Sequence, residues 1–321
     1  MYNQSGRQSR YGPFMSSNLR NNMQIGIVGL GRMGGNMTER LLRGGHHVVV
    51  SDRNPQAIAQ TVEKGAVGAE GLTEMTAKLA ARRIVWLMIP AGDPVEAAIY
   101  ELYDLLKPGD IVIDGGNSNY KDSIRHAQFL HGNNIHFLDA GTSGGIWGLT
   151  EGYCLMVGGD DDAVQYAEPI FKTLAPENGF LHVGPPGSGH FVKMVHNGIE
   201  YALMQSYAEG FELLKEGPFP ELDLAAIAEL WQHGSVVRSW LLELTAKALG
   251  KDPELSDIKA YVDDSGEGRW TVQEAIDHAV PAYTIAAALF ARFASRNDNA
   301  YSLRLLAALR NEFGGHAVKK G

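Results

Sequence analysis

Met23-Gln-Ile-Gly-Ile-Val28-Gly29-Leu-Gly31-Arg-Met-Gly34 is the stretch that decides the fold. Its first six positions form a short apolar run of strand type, and a glycine turn follows without a break. An amphipathic segment carrying Met37, Leu41 and Leu42 comes next and stops at Gly44-Gly45, ahead of a second apolar run, His47-Val-Val-Val50-Ser-Asp52. Strand, glycine turn, helix and strand make a βαβ unit with the dinucleotide fingerprint inside it. Gly29 permits the tight turn, Gly31 lets the backbone approach a pyrophosphate at the helix N-terminus, and Gly34 lets helix and strand pack closely. Asp52, at the end of the second strand, can accept hydrogen bonds from ribose hydroxyls and repel a 2′-phosphate, which favours NAD. Arg53 beside it could pair with that phosphate, so NADP stands as the weaker alternative. The plainer reading of Asp52 is a turn or N-cap residue.

Outward from this unit the alternation continues. Ile84–Ile89 is expected as a strand, with Pro90-Ala91-Gly92 and a helix through Leu106 after it. Ile111–Asp114 is a strand ending in Gly115-Gly-Asn117-Ser118, and Ile135–Asp139 is a strand ending in Ala140-Gly-Thr-Ser143-Gly144-Gly145. Tyr153–Val157 and Phe180–Val183 complete the set, with a helix over about 161–174 between them. The pattern predicts an α/β fold, a Rossmann-type, doubly wound, mainly parallel sheet that binds ligands beyond its strand C-termini. The loops at Pro90, Gly115 and Ser143 all follow such termini. Ser143-Gly144-Gly145 offers consecutive backbone N–H groups and a hydroxyl to an anion, and Asn117 can donate and accept at once. Ordinary turn chemistry explains either loop taken alone.

Past Pro185-Pro186 the pattern becomes helical to the end of the chain, so an all-α C-terminal domain over 187–321 is expected behind a dinucleotide-binding domain over 23–186. Helices are expected from Gly187–Gly189 to about Leu214, from Ala225 to about Trp240, from Trp240 to Leu249, and over about 271–279, 285–294 and 300–313. The first carries Lys193, His196, Asn197, Glu200 and Tyr201 at i, i+3, i+4, i+7 and i+8, which is one helical face. Phe191, Val192, Met194, Val195, Ile199, Leu203 and Met204 cover the other faces, so the helix is expected to be buried on most sides. The stripe is then either a solvated surface or the polar wall of a cleft between the domains, where a Lys and a Glu could be shifted into service as base and acid.

The bulk composition narrows the classes. Net charge is −9, which argues against nucleic acid or an anionic membrane as partner, so an anionic substrate needs a local cationic cluster. The single cysteine, Cys154, forbids an intrachain disulfide, fits a reducing cytoplasmic setting, and is expected to be a buried strand residue. No apolar run reaches transmembrane length. Residues 1–22 are rich in Ser, Asn and Arg without apolar period, and are expected to be a disordered extension rather than a secretory signal.

Gly29-Leu-Gly-Arg-Met-Gly34, Asp114-Gly-Gly-Asn-Ser118, Ser143-Gly-Gly145 and Gly189-His-Phe-Val-Lys-Met-Val-His-Asn-Gly-Ile-Glu-Tyr201 together resemble the decarboxylating 6-phosphogluconate dehydrogenases of the β-hydroxyacid dehydrogenase superfamily. The resemblance runs from Met23 to the C-terminus. Its last motif is the most specific, since smaller relatives keep the Lys and Asn but lack the Glu-Tyr pair. It implies NAD-linked oxidative decarboxylation of 6-phosphogluconate to ribulose 5-phosphate and CO₂, in the pentose phosphate pathway. Lys193 would be the general base and Glu200 the general acid. Leu30, Arg32, Met33, Ile89, Pro90 and Ala91 would join the glycines, Asp52, Arg53 and Asn117 around the cofactor. Asn117, Ser143, Gly144, Gly145, His196, Asn197 and Tyr201 would hold substrate, with Arg292 on its phosphate. Arg310-Asn-Glu-Phe-Gly-Gly-His316 is similar to a tail that lends an Arg and a His to a neighbouring subunit, so at least a dimer is implied. No metal is called for. The chain resembles the short, usually NAD-preferring form. It carries Asp52-Arg53-Asn54 where the long form has Asn-Arg-Thr, Ile89-Pro-Ala91 for Val-Lys-Ala, and Ser265 for a substrate-contacting Lys. Two other readings are a non-decarboxylating dehydrogenase of a smaller hydroxy acid and a non-catalytic NAD-binding protein.

Overall fold

A computed structural model describes residues 22–297, 299–314 and 317–319. The expected extension over 1–22 lies outside the described residues, Asn22 excepted. Eight strands form one sheet: β1 (Gln24–Val28), β2 (His47–Ser51), β3 (Val67–Gly68), β4 (Ile84–Leu87), β5 (Ile111–Asp114), β6 (His136–Ser143), β7 (Cys154–Gly158) and β8 (Phe180–Gly184). Their order is β3-β2-β1-β4-β5-β6-β7-β8. Every neighbouring pair is parallel except β6 and β7. The chain leaves β1 towards one edge and later returns beside it as β4, so a crevice opens at the C-termini of these two strands.

Both faces of the sheet are covered, which is why its strands are almost continuously apolar. Alternation still sorts the side chains. Ile84 and Trp86 face a layer with Met37 and Leu41 of α1 (Arg32–Arg43), while Val85 and Leu87 face a layer with Val95, Ile99 and Leu102, which belong to a helix below. The remaining helices of this half are α2 (Pro55–Val62), α3 (Leu72–Lys78), α4 (Asp93–Leu105), α5 (Tyr120–His131), α6 (Gly148–Glu151) and α7 (Asp161–Leu174). The Val95–Leu102 stripe belongs to α4, and Ile170, Phe171 and Leu174 of α7 lie on the α1 face.

Two details depart from the expected pattern. The strand after α5 continues past Asp139 through Ser143, and the next strand turns back against it, pairing Ser143 with Cys154. Cys154 is therefore exposed, not buried. Running antiparallel to β6, β7 begins where β6 ends, so its first residue sits at that open end of the sheet.

Beyond Gly184 the described chain is helical: α8 (Ser188–Lys215), α9 (Leu224–Leu230), α10 (Trp240–Lys251), α11 (Glu267–Asp277), α12 (Tyr283–Ala294) and α13 (Tyr301–Gly314). The expected helix from Ala225 to Trp240 stops at Leu230, and Gly234, at φ +78°, cannot continue it. Helix α8 is not buried on most sides. Its apolar positions Phe191, Val192, Ile199, Leu203 and Met204 are exposed, Ile199 by 51%, while Lys193 and Tyr201 of the polar stripe are buried. The start of α8 packs on β6 and β7, and α11 and α12 flank it further on.

Candidate active site

The cofactor crevice forms around the first glycine turn. Gly29 has φ +93°, and a Cβ on Gly34 would collide with the Gly29 carbonyl, so α1 leaves the sheet at backbone contact. Gly31, the N-cap of α1, has open space where a Cβ would point. That space and the free N-terminus of α1 fit a dinucleotide pyrophosphate. Asp52 closes the turn: its Oδ2 accepts the Leu30 N–H at 2.6 Å and its Oδ1 accepts the Asn54 N–H at 2.7 Å. Arg32 and Arg53 are exposed beside it. Ile89, ahead of Pro90 and Ala91, reaches both neighbouring turns. Its Cγ2 lies beside Gly29, and its carbonyl would be 2.6 Å from a Cβ on Gly116.

Two carboxylates that sequence reasoning gave no role hold the loops in place. Asp114 is fully buried. Its Oδ1 accepts the Gly116 N–H at 2.9 Å and its Oδ2 accepts the Ser118 hydroxyl at 2.6 Å. This turn sets Asn117 at φ +54°, where its amide accepts the Thr142 N–H at 3.0 Å and donates to the Thr142 carbonyl at 3.2 Å. Asn117 thus ties the β5 loop to β6 and still lines the cleft. Asp139, also fully buried, accepts the Gly187 and His190 N–H groups, each at 2.7 Å. A strand carboxylate thereby takes two of the orphan donors at the N-terminus of α8. The helix lies so close to β6 that a Cβ on Gly141 would be 2.5 Å from the Lys193 Cβ.

This docking carries the polar stripe to the sheet edge. Asn117, Ser143, Gly144, Gly145, Lys193, His196, Asn197 and Glu200 line one cleft of about 910 Å³, with Met33 at its cofactor side and Trp147 and Trp240 among its apolar walls. Lys193 is only 5% exposed and donates to the Asn197 Oδ1 at 2.6 Å. His196 Nδ1 lies 3.5 Å from the Lys193 Nζ, 3.1 Å from the Asn197 Oδ1 and 3.9 Å from the Glu200 Oε2. Lysine and glutamate are thus linked through an imidazole and an amide without touching. Burial lowers the Lys193 pKa from its ordinary value, and the charges of Glu200, Glu267 and Cys154 oppose that fall.

The structure distributes the other expected positions unevenly. Tyr201 is buried beside the cleft, its hydroxyl accepting the Ser265 N–H at 3.1 Å. The Arg292 guanidinium lies 3.5 Å from the centre of the Tyr201 ring and donates to the Asp263 carbonyl at 2.8 Å. Arg292 and Ser265 therefore meet at Tyr201, past the end of the stripe. Arg310 is exposed on α13 and is not brought to the cleft of its own chain. His316 lies outside the described residues.

Comparison with known proteins finds two family matches in the chain. Residues 24–184 match the family described as the NAD binding domain of 6-phosphogluconate dehydrogenase, and residues 189–305 match the 6-phosphogluconate dehydrogenase C-terminal domain. The chain is 46% identical over 298 residues to the YqeC protein of Bacillus subtilis (strain 168), covering 93% of this chain and 100% of the relative. It is 44% identical over 300 residues to the NAD(+)-dependent, decarboxylating 6-phosphogluconate dehydrogenase of Haloferax volcanii, covering 93% and 99%. Among solved structures, Plasmodium falciparum 6-phosphogluconate dehydrogenase superposes with a TM-score of 0.79 at 30% identity, over 93% of this chain and 66% of its own. A Mycobacterium tuberculosis 3-hydroxyisobutyrate dehydrogenase, at 22% identity and a TM-score of 0.69, shares the fold. With the fingerprint, the sheet-edge loops and the Lys193–Tyr201 stripe in one cleft, the chain belongs to the 6-phosphogluconate dehydrogenase family.

Proposed function

We propose that this protein is an NAD-dependent 6-phosphogluconate dehydrogenase that releases CO₂ and ribulose 5-phosphate, with units 23–186 and 187–321 serving cofactor and substrate. The observation that carries this reading is a buried lysine joined through His196 and Asn197 to a carboxyl two turns along, all facing a dinucleotide crevice. The carboxylate of Asp52 at the end of β2 outweighs the neighbouring Arg53 and favours NAD over NADP. Gly29–Gly34, Asp52 and the Ile89–Ala91 loop would hold NAD, which would supply the acceptor for the C3 hydride.

Lys193, neutral at the outset, takes the proton of the C3 hydroxyl. Its ammonium then polarises the C3 carbonyl and gives its proton to that oxygen while the C1–C2 bond breaks and its electrons form the C2–C3 double bond, giving an enediol and CO₂. Glu200, protonated, returns a proton to the carbon that lost CO₂ while Lys193 takes the C3 hydroxyl proton back, which restores the ketone. Asn117, Ser143, Gly144 and Gly145 hold the carboxylate end with amide, hydroxyl and backbone donors, and His196 and Asn197 orient the C3 oxygen against Lys193. Tyr201 and Arg292 take the phosphate.

A second copy of the chain completes the site. Helix α13 exposes Tyr301, Leu303, Leu305, Leu306 and Leu309, apolar side chains of the kind an interface covers. Packed on a partner, this helix brings Arg310 towards the neighbouring cleft, and the motif from Arg310 to His316 adds cations to those of Lys193 and Arg292. The enzyme works in a cytoplasmic setting. Among the described residues no helix is long and apolar enough to cross a membrane.

The test is absorbance of reduced cofactor from purified protein with 6-phosphogluconate, with NAD⁺ and NADP⁺ in turn and CO₂ collected. Reduction with matching CO₂ is the expected result. Reduction without CO₂ would remove the decarboxylation step, and no reduction with either cofactor would overturn the substrate and point to the smaller hydroxy acids.

A further inference from the structure

Behind the polar stripe, away from the cleft lining, lies a second acid. Glu267 is the first residue of α11 and is 7% exposed. The Ser265 hydroxyl donates to its carboxylate. Ser265 is itself bound to Tyr201, its N–H to the phenol oxygen at 3.1 Å and its hydroxyl 3.4 Å from it. The first turn of α11 is seated on α8 at backbone range. The Thr271 hydroxyl lies 2.8 Å from the carbonyl of Met194, the residue after Lys193, and the Thr271 side chain fills the space where Gly198 has no Cβ. Gly268 lies flat against the Tyr201 ring, where a Cβ would come within 2.5 Å. These contacts seat the first turn of α11 on α8 with Glu267 buried in it.

We propose that Glu267 is a positioning residue for the reaction, its buried carboxylate being the fixed counter-charge that stabilises the Lys193 ammonium formed when the lysine takes the substrate proton. This rests on Lys193 being the base. The stripe alone does not supply a fixed charge. His196 and Asn197 are uncharged partners of Lys193 while the imidazole is neutral, and Glu200 must be protonated to act as an acid. From β7 Cys154 faces the lysine, and β6 faces it with backbone at Gly141. Glu267, from α11, is the remaining acid whose charge opposes the effect of burial on Lys193. A buried lysine without such a charge would take the proton less readily and hold the cationic state poorly.

Glu267→Gln keeps an acceptor for Ser265 and removes the charge, and Glu267→Met removes the charge without leaving a buried amide. Trace acylation of Lys193 across pH, read by mass spectrometry, reports the ionisation of that amine whether or not it is the base. In either variant the labelling midpoint is expected to move to lower pH by about half a unit or more, and the acid limb of log kcat/KM with it. Glu267→Asp should return both towards the wild-type position. An unchanged midpoint in a variant that binds NADH and melts like wild type overturns the proposal. A midpoint that moves while the kinetic limb stays fixed upholds the Glu267 charge and removes Lys193 as the base, so the two failures are told apart.

Discussion

Lys193 sits where its charge is disfavoured, and its chemistry follows from that. Burial lowers its pKa, so the neutral amine is present at a pH where an exposed lysine, titrating near 10.4, is still protonated. A base must be neutral to act, so log kcat/KM should rise with pH through an ionisation below that value, and a limb at or above it would exclude Lys193. Lys193→Ala should lower kcat by about 10³-fold with NADH binding intact in fluorescence titration. Glu200→Gln separates the steps. Hydride transfer, read as the burst of reduced cofactor, should persist while steady turnover falls by about 10²-fold. Asp52 does two jobs at once, since it also accepts the Leu30 N–H. Asp52→Ala should therefore raise KM for NAD and cut the NAD-to-NADP ratio of kcat/KM by about tenfold. The chemistry-bearing side chains were legible because helical spacing and the glycine pattern are local. Asp114, Asp139 and Glu267 were not. A buried carboxylate whose partners are N–H or hydroxyl groups contributed by a fold leaves no period in the chain.

At the scale of elements the site depends on how α8 is anchored. Both oxygens of Asp139 are spent on the N–H groups of Gly187 and His190, and Asn offers one acceptor where two are needed. Asp139→Asn should cost about 3 kcal/mol of stability, read as a lower urea midpoint, and should lower kcat by displacing the first turn of the helix. Gly141→Ala presses on the Lys193 Cβ and the Gly189 carbonyl, and overpacking of this kind costs about 1–3 kcal/mol. Its kcat should fall further than its stability explains, whereas a fall in stability alone would detach Lys193 from this contact. The strands of the sheet were legible because β1, β4 and β5 are short apolar runs bounded by turn residues. β3, of two residues, is too short for any period, and α9 ends early because Gly234 breaks a pattern whose apolar spacing alone continues. The reversal of β7 was equally invisible. Strand direction depends on the length and path of the connection, and hydrophobic alternation is the same either way.

The whole molecule, as one chain, leaves apolar surface that its own fold does not cover. Ile199, Leu203 and Phe290 are exposed, and so are the leucines of α13. Periodicity marks Ile199 and Leu203 as apolar positions of a helix and says nothing of what covers them, so the expectation that α8 would be buried on most sides fails in the single chain. Sedimentation should give a dimer or larger, and Leu306→Asp should shift it towards monomer with loss of turnover while NADH binding is kept. A fully active monomer would remove the role given to Arg310 and His316 of the partner subunit. The reversal of β7 has one more use. It leaves the protein's single thiol at the rim of the reaction chamber, opposite Ser143. A maleimide dye would attach there and nowhere else, turning the native sequence, without engineering, into an optical gauge of when the chamber fills and empties.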